Sequence, residues 1–256
     1  MIDADFTYGR YRAILKAGID AGYHFITFDQ LAAARSGAER ACLIRHDCDN
    51  DLVAALAVAR IEAEMGVRST YLVMTRAALY NVFAPKQAAL VRAIAALGHQ
   101  LGLHFDEKPY EDKDSDFMPA QVDRERSWLQ QEFGQPIDVV SFHQPARRVL
   151  DNEYVLSCLN TYDKKDMSGL HYLSDSNLRF RGPTPIEYFE KKQHRLLHIL
   201  LHPEWWTEMP MSLDDKWNRM FENNLHLMER SLLEREDTYT SKRAFSIGPG
   251  NPDGSC

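Results

Sequence analysis

The 256-residue sequence predicts an α/β fold, with one parallel sheet and helices packed against it. Short apolar runs such as ACLI (residues 41–44) alternate with longer segments whose apolar residues recur at helical spacing. This alternation has the interval of βα units, in which successive strands run parallel. Neither a composition break nor a low-complexity linker divides the chain, so we expect a single domain over residues 1–245.

The first forty residues are predicted to form a helical extension that packs on this domain. Residues 6–22 place apolar side chains at helical spacing and end at a glycine, as amphipathic helices do. Residues 23–34 predict a short extended piece and one helical turn. At the other end, the Gly/Pro-rich stretch at residues 246–256 lacks apolar periodicity, so we expect a flexible tail.

Between these ends, four strands and three helices are predicted in alternation. The first strand ends at Arg45, and Asn50 or Asp51 can cap the helix that follows. Three more strand candidates and a long C-terminal helix at residues 213–236 complete the fold. The predicted strands are residues 41–44, 68–74, 99–105, 137–143, 159–163, 170–176 and 195–202, and the three helices are residues 52–66, 85–98 and 120–134.

Charge, apolar runs and cysteine spacing argue against nucleic-acid binding, membrane insertion and secretion. The formal net charge is -7 and no basic run is longer than a pair, which argues against nucleic acid as a partner. No apolar run approaches the length that spans a membrane, so we expect no membrane insertion. The N-terminus shows no secretory signal and the four cysteines form no CxxC pair, which together favour a cytoplasmic location.

Carboxylates and histidines follow several of the predicted strands. Clustered carboxylates repel one another, so a fold usually tolerates them where a cation or reaction chemistry balances their charge. If the strands are parallel, their carboxyl ends meet at one rim, where α/β barrels build active sites. One carboxylate with two histidines suits a divalent transition metal, and a second carboxylate on the same strand face can accept a proton from water. The residues at this rim are Asp47, Asp49, His104, His143 and His202.

Five short motifs follow one another along the chain: RHDCD (45–49), GHQLGLH (98–104), SFHQP (141–145), YLSDS (172–176) and LLHPEWW (200–206). In this order they resemble the motifs of the polysaccharide deacetylase family, also called the NodB-homology or carbohydrate esterase family 4. The chain looks most like the branch encoded in lipopolysaccharide O-antigen clusters. The resemblance implies a distorted (β/α) barrel, here with an added N-terminal helical segment and a long C-terminal helix. It also implies metal-assisted removal of N-acetyl groups from amino sugars.

The resemblance also implies a role for each matching residue. Asp47 corresponds to the general base and Asp49 to the carboxylate ligand of the metal. His104 corresponds to the first histidine ligand because it closes the GHxxGxH segment. His202 corresponds to the general acid, and Asp175 to the carboxylate that orients that acid.

Two positions depart from the family pattern. The family places its second histidine ligand four residues after the first, where this chain has Lys108. We expect His143 to replace it because His143 ends the next strand, whereas His99 lies at the far end of its strand and is expected to be structural. The family's third motif supplies an arginine that pairs with the base, and this role is open here among Arg45, Arg147 and Arg148.

Aromatic and basic residues near the rim are candidates for binding the substrate. Trp205 and Trp206 directly follow the PE of the last motif, and indole rings can pack on the apolar face of a sugar. The alternative is that both tryptophans anchor the C-terminal helix in the core. Arg147 is the third predicted substrate contact.

The sequence thus predicts a metal-dependent hydrolase that removes an N-acyl group, acetyl first, from an amino sugar. The substrate is a polysaccharide or an O-antigen precursor, including nucleotide- and lipid-linked forms. We expect one divalent transition metal, zinc first, with cobalt, nickel and iron as alternatives. A catalytically inactive relative that binds carbohydrate is the second hypothesis, favoured by the missing second histidine. A helical phosphohydrolase that binds metal through His46 and Asp47 is the third, and the strand before them disfavours it.

Overall fold

The computed structural model describes residues 5–110, 112–114 and 116–240. The tail predicted at residues 246–256 lies outside the described residues. The described strands are β1 Tyr23–Ile26, β2 Arg40–Cys48, β3 Thr70–Val73, β4 Gln100–Asp106, β5 Val139–His143, β6 Leu159–Asn160, β7 His171–Ser174 and β8 Leu196–Leu201. These eight parallel strands form one sheet with the order β6-β5-β4-β3-β2-β8-β7, in which β1 pairs with the first half of β2.

The sheet curls into an open barrel, which confirms the predicted fold class. Neighbouring strands lie about 4.8 Å apart, so a flat sheet would separate β2 from β5 by about 14 Å. Instead, Ser141 on β5 donates a hydrogen bond to Asp47 on β2 at 3.1 Å. Arg45 on β2 reaches Tyr162, just beyond β6, at 3.2 Å. No described strand joins β6 to β7, so the barrel is open between them.

Helices cover the outside of the barrel. They are α1 Tyr8–Asp20, α2 Leu31–Ser36, α3 Leu52–Glu64, α4 Pro85–Ala96, α5 Phe117–Phe133, α6 Arg147–Leu150, α7 Pro185–Lys191 and α8 Leu213–Arg235. Helix α1 packs against α3 and α7, and β1 joins the sheet, so these two N-terminal elements are part of the fold. No helix among the described residues is long and apolar enough to cross a bilayer.

The first barrel strand is longer than predicted. We expected it to end at Arg45, but β2 continues to Cys48 because β3 pairs with its second half. Asp51, one of the two predicted caps, is the residue that caps the start of α3, and its Oδ1 accepts hydrogen bonds from two backbone amides. The extension of β2 brings both carboxylates, Asp47 and Asp49, to the carboxyl-end rim.

Apolar side chains fill the barrel below this rim. Leu43, Leu72, Val139 and Leu196 belong to one buried cluster and come from four different strands. Gly102 packs so closely among them that a Cβ at this position would come within 2.9 Å of Leu72 and 2.8 Å of Val139. Only glycine therefore lets β4 approach its neighbours closely enough to place the next inward residue at the rim.

A buried polar cluster fixes the outward face of β2. Glu62 on α3 accepts hydrogen bonds from the hydroxyls of Tyr11, Ser69 and Tyr71 at 2.5–2.7 Å, and its Oε1 lies 2.8 Å from His46 Nε2. Burial by itself raises the pKa of Glu62, but the charge and hydrogen bond of His46 outweigh it and lower the pKa to about 2. His46 lies on a strand of the parallel sheet, so the phosphohydrolase hypothesis, which requires a helical surround, is wrong.

Replacing Glu62 by alanine is expected to reduce the free energy of unfolding by about 3–5 kcal/mol, since it leaves buried partners without their carboxylate. The contribution of ionised Glu62 to the free energy of unfolding is fully present above pH 4.5, the ordinary pKa of a glutamate. It is lost as the pH falls through about 2. Urea denaturation at neutral pH measures the loss. The matched control is Glu64→Ala on the exposed side of α3, where a surface ion pair with Arg12 contributes at most about 1 kcal/mol. Equal losses in both variants would contradict a specific role for the cluster.

Candidate active site

Four parallel strands bring the predicted site residues to one rim. Strands β2, β4, β5 and β8 run in the same direction, so their carboxyl ends lie together. Their inward side chains alternate along each strand, as the sequence predicted for Asp47 and Asp49. Each of the five predicted residues lies within 4.0 Å of at least one of the others. They are Asp47, Asp49, His104, His143 and His202.

Three of these residues form a set of converging donor atoms. Asp49 Oδ1 lies 2.9 Å from His104 Nε2 and 3.4 Å from His143 Nδ1, and the two histidine nitrogens are 3.3 Å apart. Two ligands bound at about 2.0–2.2 Å to a tetrahedral ion lie about 3.3 Å apart. Asp49 Oδ1 is buried and makes no hydrogen bond with any described residue, although His104 Nε2 is so close. The donor set therefore fits a divalent cation.

A hydrogen-bonded chain sets the tautomer of His104. Ser141 Oγ donates to Asp47 Oδ1 at 3.1 Å, so its own lone pairs face His104 Nδ1, which is 2.6 Å away. His104 Nδ1 must then carry the proton and donate it to Ser141, which leaves the lone pair of Nε2 directed at the other two donors. Ser141 was not predicted, yet it lies two residues before His143 and so shares its strand face.

Arg45 is the arginine that pairs with the predicted base. Its Nε and Nη2 donate to the two oxygens of Asp47 at 2.9 and 2.7 Å, and the Arg45 side chain is 0% exposed. Burial raises the pKa of Asp47, but the guanidinium charge outweighs it and lowers the pKa to about 2. The open choice among three arginines is thus settled by the structure. Arg147, at the start of α6, instead pairs with Asp151 just after that helix, and the Arg147 side chain is 92% exposed.

His202 is held by Asp175 beside the donor set. Asp175 Oδ1 lies 2.6 Å from His202 Nδ1, and both carboxylate oxygens accept from the His202 backbone N–H. Burial lowers the pKa of His202, but the Asp175 charge and hydrogen bond outweigh it and raise the pKa to about 10. His202 Nε2 lies 4.0 Å from Asp49 Oδ2, so the imidazolium faces the donor set.

The prediction that Trp206 binds substrate is wrong. Trp206 is 1% exposed, and its ring packs against Phe6 and Tyr11 with centroids 4.8 and 5.0 Å apart. Its Nε1 donates to Asp175 Oδ2 at 3.3 Å, so Trp206 holds Asp175 from the core. Trp205 is half-buried beside Trp217, and its contact with substrate stays a prediction, as does that of Arg147.

The structure also bears on His99 and on position 108, where the family has its second histidine ligand. His99 lies at the far end of the third barrel strand, where it contacts Ser69 and the carbonyl of Ala59, as expected for a structural residue. Lys108, at the position of the family's second ligand, is exposed on a short 3₁₀ helix. Within the described part of the chain, the group that can hold a metal is completed by His143.

Glu204 is a site carboxylate that the sequence analysis missed. It is fully buried, its Oε1 accepts from Asn50 Nδ2 at 3.2 Å, and no described residue bonds its Oε2. Burial and the nearby Asp49 charge raise the pKa of Glu204 well above its ordinary value. In the sequence, the only indication that Glu204 belongs to the site was its position two residues after His202.

Comparisons with known proteins concern the fold. No protein-family model and no curated protein matches the sequence. A family 4 acetyl xylan esterase from Clostridium thermocellum, in complex with a cobalt ion, is similar at 14% identity and a TM-score of 0.42, covering 76% of this chain and 84% of its own. A deacetylase of Streptococcus pyogenes, in complex with acetate, has 12% identity and a TM-score of 0.46, covering 84% and 86%. A pseudoenzyme of carbohydrate esterase family 4 from Bacillus anthracis has 12% identity and a TM-score of 0.42, covering 75% and 62%.

Proposed function

We propose that this chain belongs to the polysaccharide deacetylase family and hydrolyses the N-acyl group of an amino sugar with the help of one divalent transition metal. The observation that carries this proposal is the arrangement at the rim. A set of three metal donors, Asp49, His104 and His143, lies between an ionised carboxylate, Asp47, and a protonated imidazole, His202. Amide hydrolysis needs a base, an acid and a charge-stabilising group at one place.

The donor set would hold the metal, with one carboxylate and two imidazole ligands. Zinc is our first choice for this mixture of ligands, and cobalt, nickel and iron(II) also suit it. A cation in this position supplies Lewis-acid polarisation of an acyl carbonyl and lowers the pKa of neighbouring water.

Asp47 acts as the general base in this proposal. The Arg45 ion pair keeps its carboxylate ionised, and Ser141 and Arg45 fix its orientation. A water molecule that attacks the acyl carbon gives its proton to Asp47. Arg45 cannot lose its own proton at neutral pH, because pairing with Asp47 raises its pKa further.

His202 acts as the general acid. Asp175 binds Nδ1, so the proton on Nε2 is the one directed at the donor set. As the carbon–nitrogen bond breaks, this proton passes to the leaving nitrogen, and the products are a free amine and a carboxylate. The raised pKa of His202 keeps the acid protonated at neutral pH.

The finer identity of the substrate is also part of the proposal. We infer an amino sugar of a polysaccharide or an O-antigen precursor, free, nucleotide-linked or lipid-linked, processed in the cytoplasm by a single domain of residues 1–245. The motif resemblance supports this choice. Trp205, half-buried and three residues after His202, is the residue that we propose to pack on a sugar ring.

Metal analysis of the purified protein tests the proposal without a choice of substrate. We expect about one equivalent of transition metal per chain by mass spectrometry, lost in Asp49→Ala and in His143→Ala. The matched control is Lys108→Ala, which removes an exposed side chain at the position of the family's usual ligand and should keep the metal. The loaded protein should release acetate from N-acetyl amino sugars.

Wild-type protein that stays empty after incubation with zinc or cobalt would contradict the hydrolase mechanism. That result would favour the alternative of an inactive relative that binds carbohydrate. Metal lost in Lys108→Ala but kept in His143→Ala would show that the third ligand is wrong.

A further inference from the structure

Helix α8, which lies outside the motifs of the family resemblance, binds the segment that follows His202. Arg219 donates from Nη2 to the carbonyl oxygen of Glu204 at 2.6 Å and from Nη1 to that of Trp206 at 3.1 Å. One turn earlier, buried Lys216 donates to the carbonyl oxygen of Trp205 at 2.6 Å. Three consecutive carbonyl groups therefore accept hydrogen bonds from cationic side chains of one helix.

The same helix binds the segment that follows Asp49. Asn223 Nδ2 donates to Asp51 Oδ2 at 2.7 Å, and Asn224 Nδ2 donates to the carbonyl oxygen of Asn50 at 2.9 Å. The other oxygen of Asp51 caps α3. This segment is thus fixed between the start of α3 and the middle of α8.

The two segments also bind each other. Asn50 Nδ2 donates to Glu204 Oε1 at 3.2 Å, and both Asp51 and Glu204 are fully buried. Asp49 and His202 each lie just beyond the last residue of their strand, β2 and β8. Their separation therefore depends on the two following segments as well as on the sheet.

We propose that Arg219 and Asn223 are positioning residues, through which α8 holds the general acid His202 and the metal ligand Asp49 at a fixed separation. Each acts on a different segment, Arg219 on residues 204–206 and Asn223 on the start of α3. The kinetic part of this inference rests on the proposed function, whereas its structural part does not. Catalytic groups need such fixing, since a displacement of about 1 Å can lower a rate about 100-fold.

Hydrogen–deuterium exchange on the purified full chain tests the structural part. In Arg219→Ala, we expect about tenfold faster exchange at the backbone amides of residues 205–207, with the amides of residues 53–55 unchanged. In Asn223→Ala, we expect the reverse pattern. Both groups of amides are hydrogen-bonded in the structure, so their exchange reports local opening.

Metal affinity and steady-state kinetics test the functional part. Zn²⁺ titration against a competing chelator should show about tenfold weaker binding in Asn223→Ala, at the low end for residues that orient metal ligands. Arg219→Ala should keep its Zn²⁺ affinity but lose about tenfold or more in kcat, with KM little changed. Arg219→Lys, which can restore one of the two hydrogen bonds, should recover part of that loss.

Three control variants separate positioning from general destabilisation. Asn218→Ala and Arg235→Ala remove exposed side chains of the same types from α8, and both should behave as wild type. Leu227→Ala opens the buried face of α8 and removes none of the hydrogen bonds from α8 to either segment, so it should lower stability and leave the two exchange patterns unchanged.

The inference is overturned if Leu227→Ala reproduces the segment-specific exchange, or if both positioning variants loosen both segments equally. Exchange needs neither metal nor substrate. Segment-specific exchange in a protein without hydrolase activity would therefore uphold the positioning role and contradict the proposed function alone.

Discussion

Replacing Asp47 by asparagine is expected to lower kcat about 100-fold to 10,000-fold, the usual contribution of a general base. Asparagine keeps the shape of the side chain and one oxygen for Arg45 and Ser141, but it cannot take a proton from water. The metal should stay bound, because Asp47 is not one of the three donors. Acetate release by the loaded variant, with metal content measured on the same sample, checks this expectation.

Loss of the Asp47 charge also leaves Arg45 buried without its counter-ion. We therefore expect the free energy of unfolding to fall by about 3–5 kcal/mol, and kinetics must be measured where the variant is folded. Asp106→Asn is the matched control, since Asp106 ends β4 near the same rim and is only partly buried. Its kcat should stay within about twofold of wild type. A folded, loaded Asp47→Asn enzyme with near-normal kcat would mean that another group is the base.

The features that the sequence predicted well depend on local periodicity. Side chains alternate along a strand, so Asp47 and Asp49 had to share a face whenever that segment was extended. Parallel βα units place all strand ends at one rim, which brings His104, His143 and His202 together. A helix cap is recognised from its position just before an apolar run, which is also a local feature of the sequence, and Asp51 was one of two candidates found in this way.

The features that the sequence did not predict depend on distant contacts. Arg45 was one of three candidates because the strand was expected to end there, and pairing with β3 is what extends it. Trp206 is buried by Phe6 and Tyr11, nearly two hundred residues earlier in the chain. The link between α8 and the rim rests on hydrogen bonds from side chains such as Arg219 to backbone carbonyls, and these leave no periodic pattern in the sequence.

The pH profile of the enzyme should depend on Asp175. The Asp175 charge raises the pKa of His202 from 6.5 to about 10, so His202, the proposed general acid, stays protonated throughout the neutral range in the wild type. The pair also stabilises the fold most below pH 6.5, and this contribution is lost as the pH rises through about 10. In Asp175→Asn the charge is gone while burial still disfavours the imidazolium, so the pKa of His202 must fall.

We therefore expect the alkaline limb of kcat in Asp175→Asn to move about one to three pH units lower than in wild type. With a fall of three units, to a pKa of about 7, most of the variant would lack its acid at pH 8 and much of its activity should return at pH 6, whereas a fall of one unit would show only above about pH 8. His202→Asn is the control, because a variant with no titrating acid should have a low rate and no limb at this position. A change in the protonation of His202 must appear as a change in the pH dependence of kcat. If kcat of Asp175→Asn is instead lower than wild type by the same factor at every pH, Asp175 orients His202 without setting its charge.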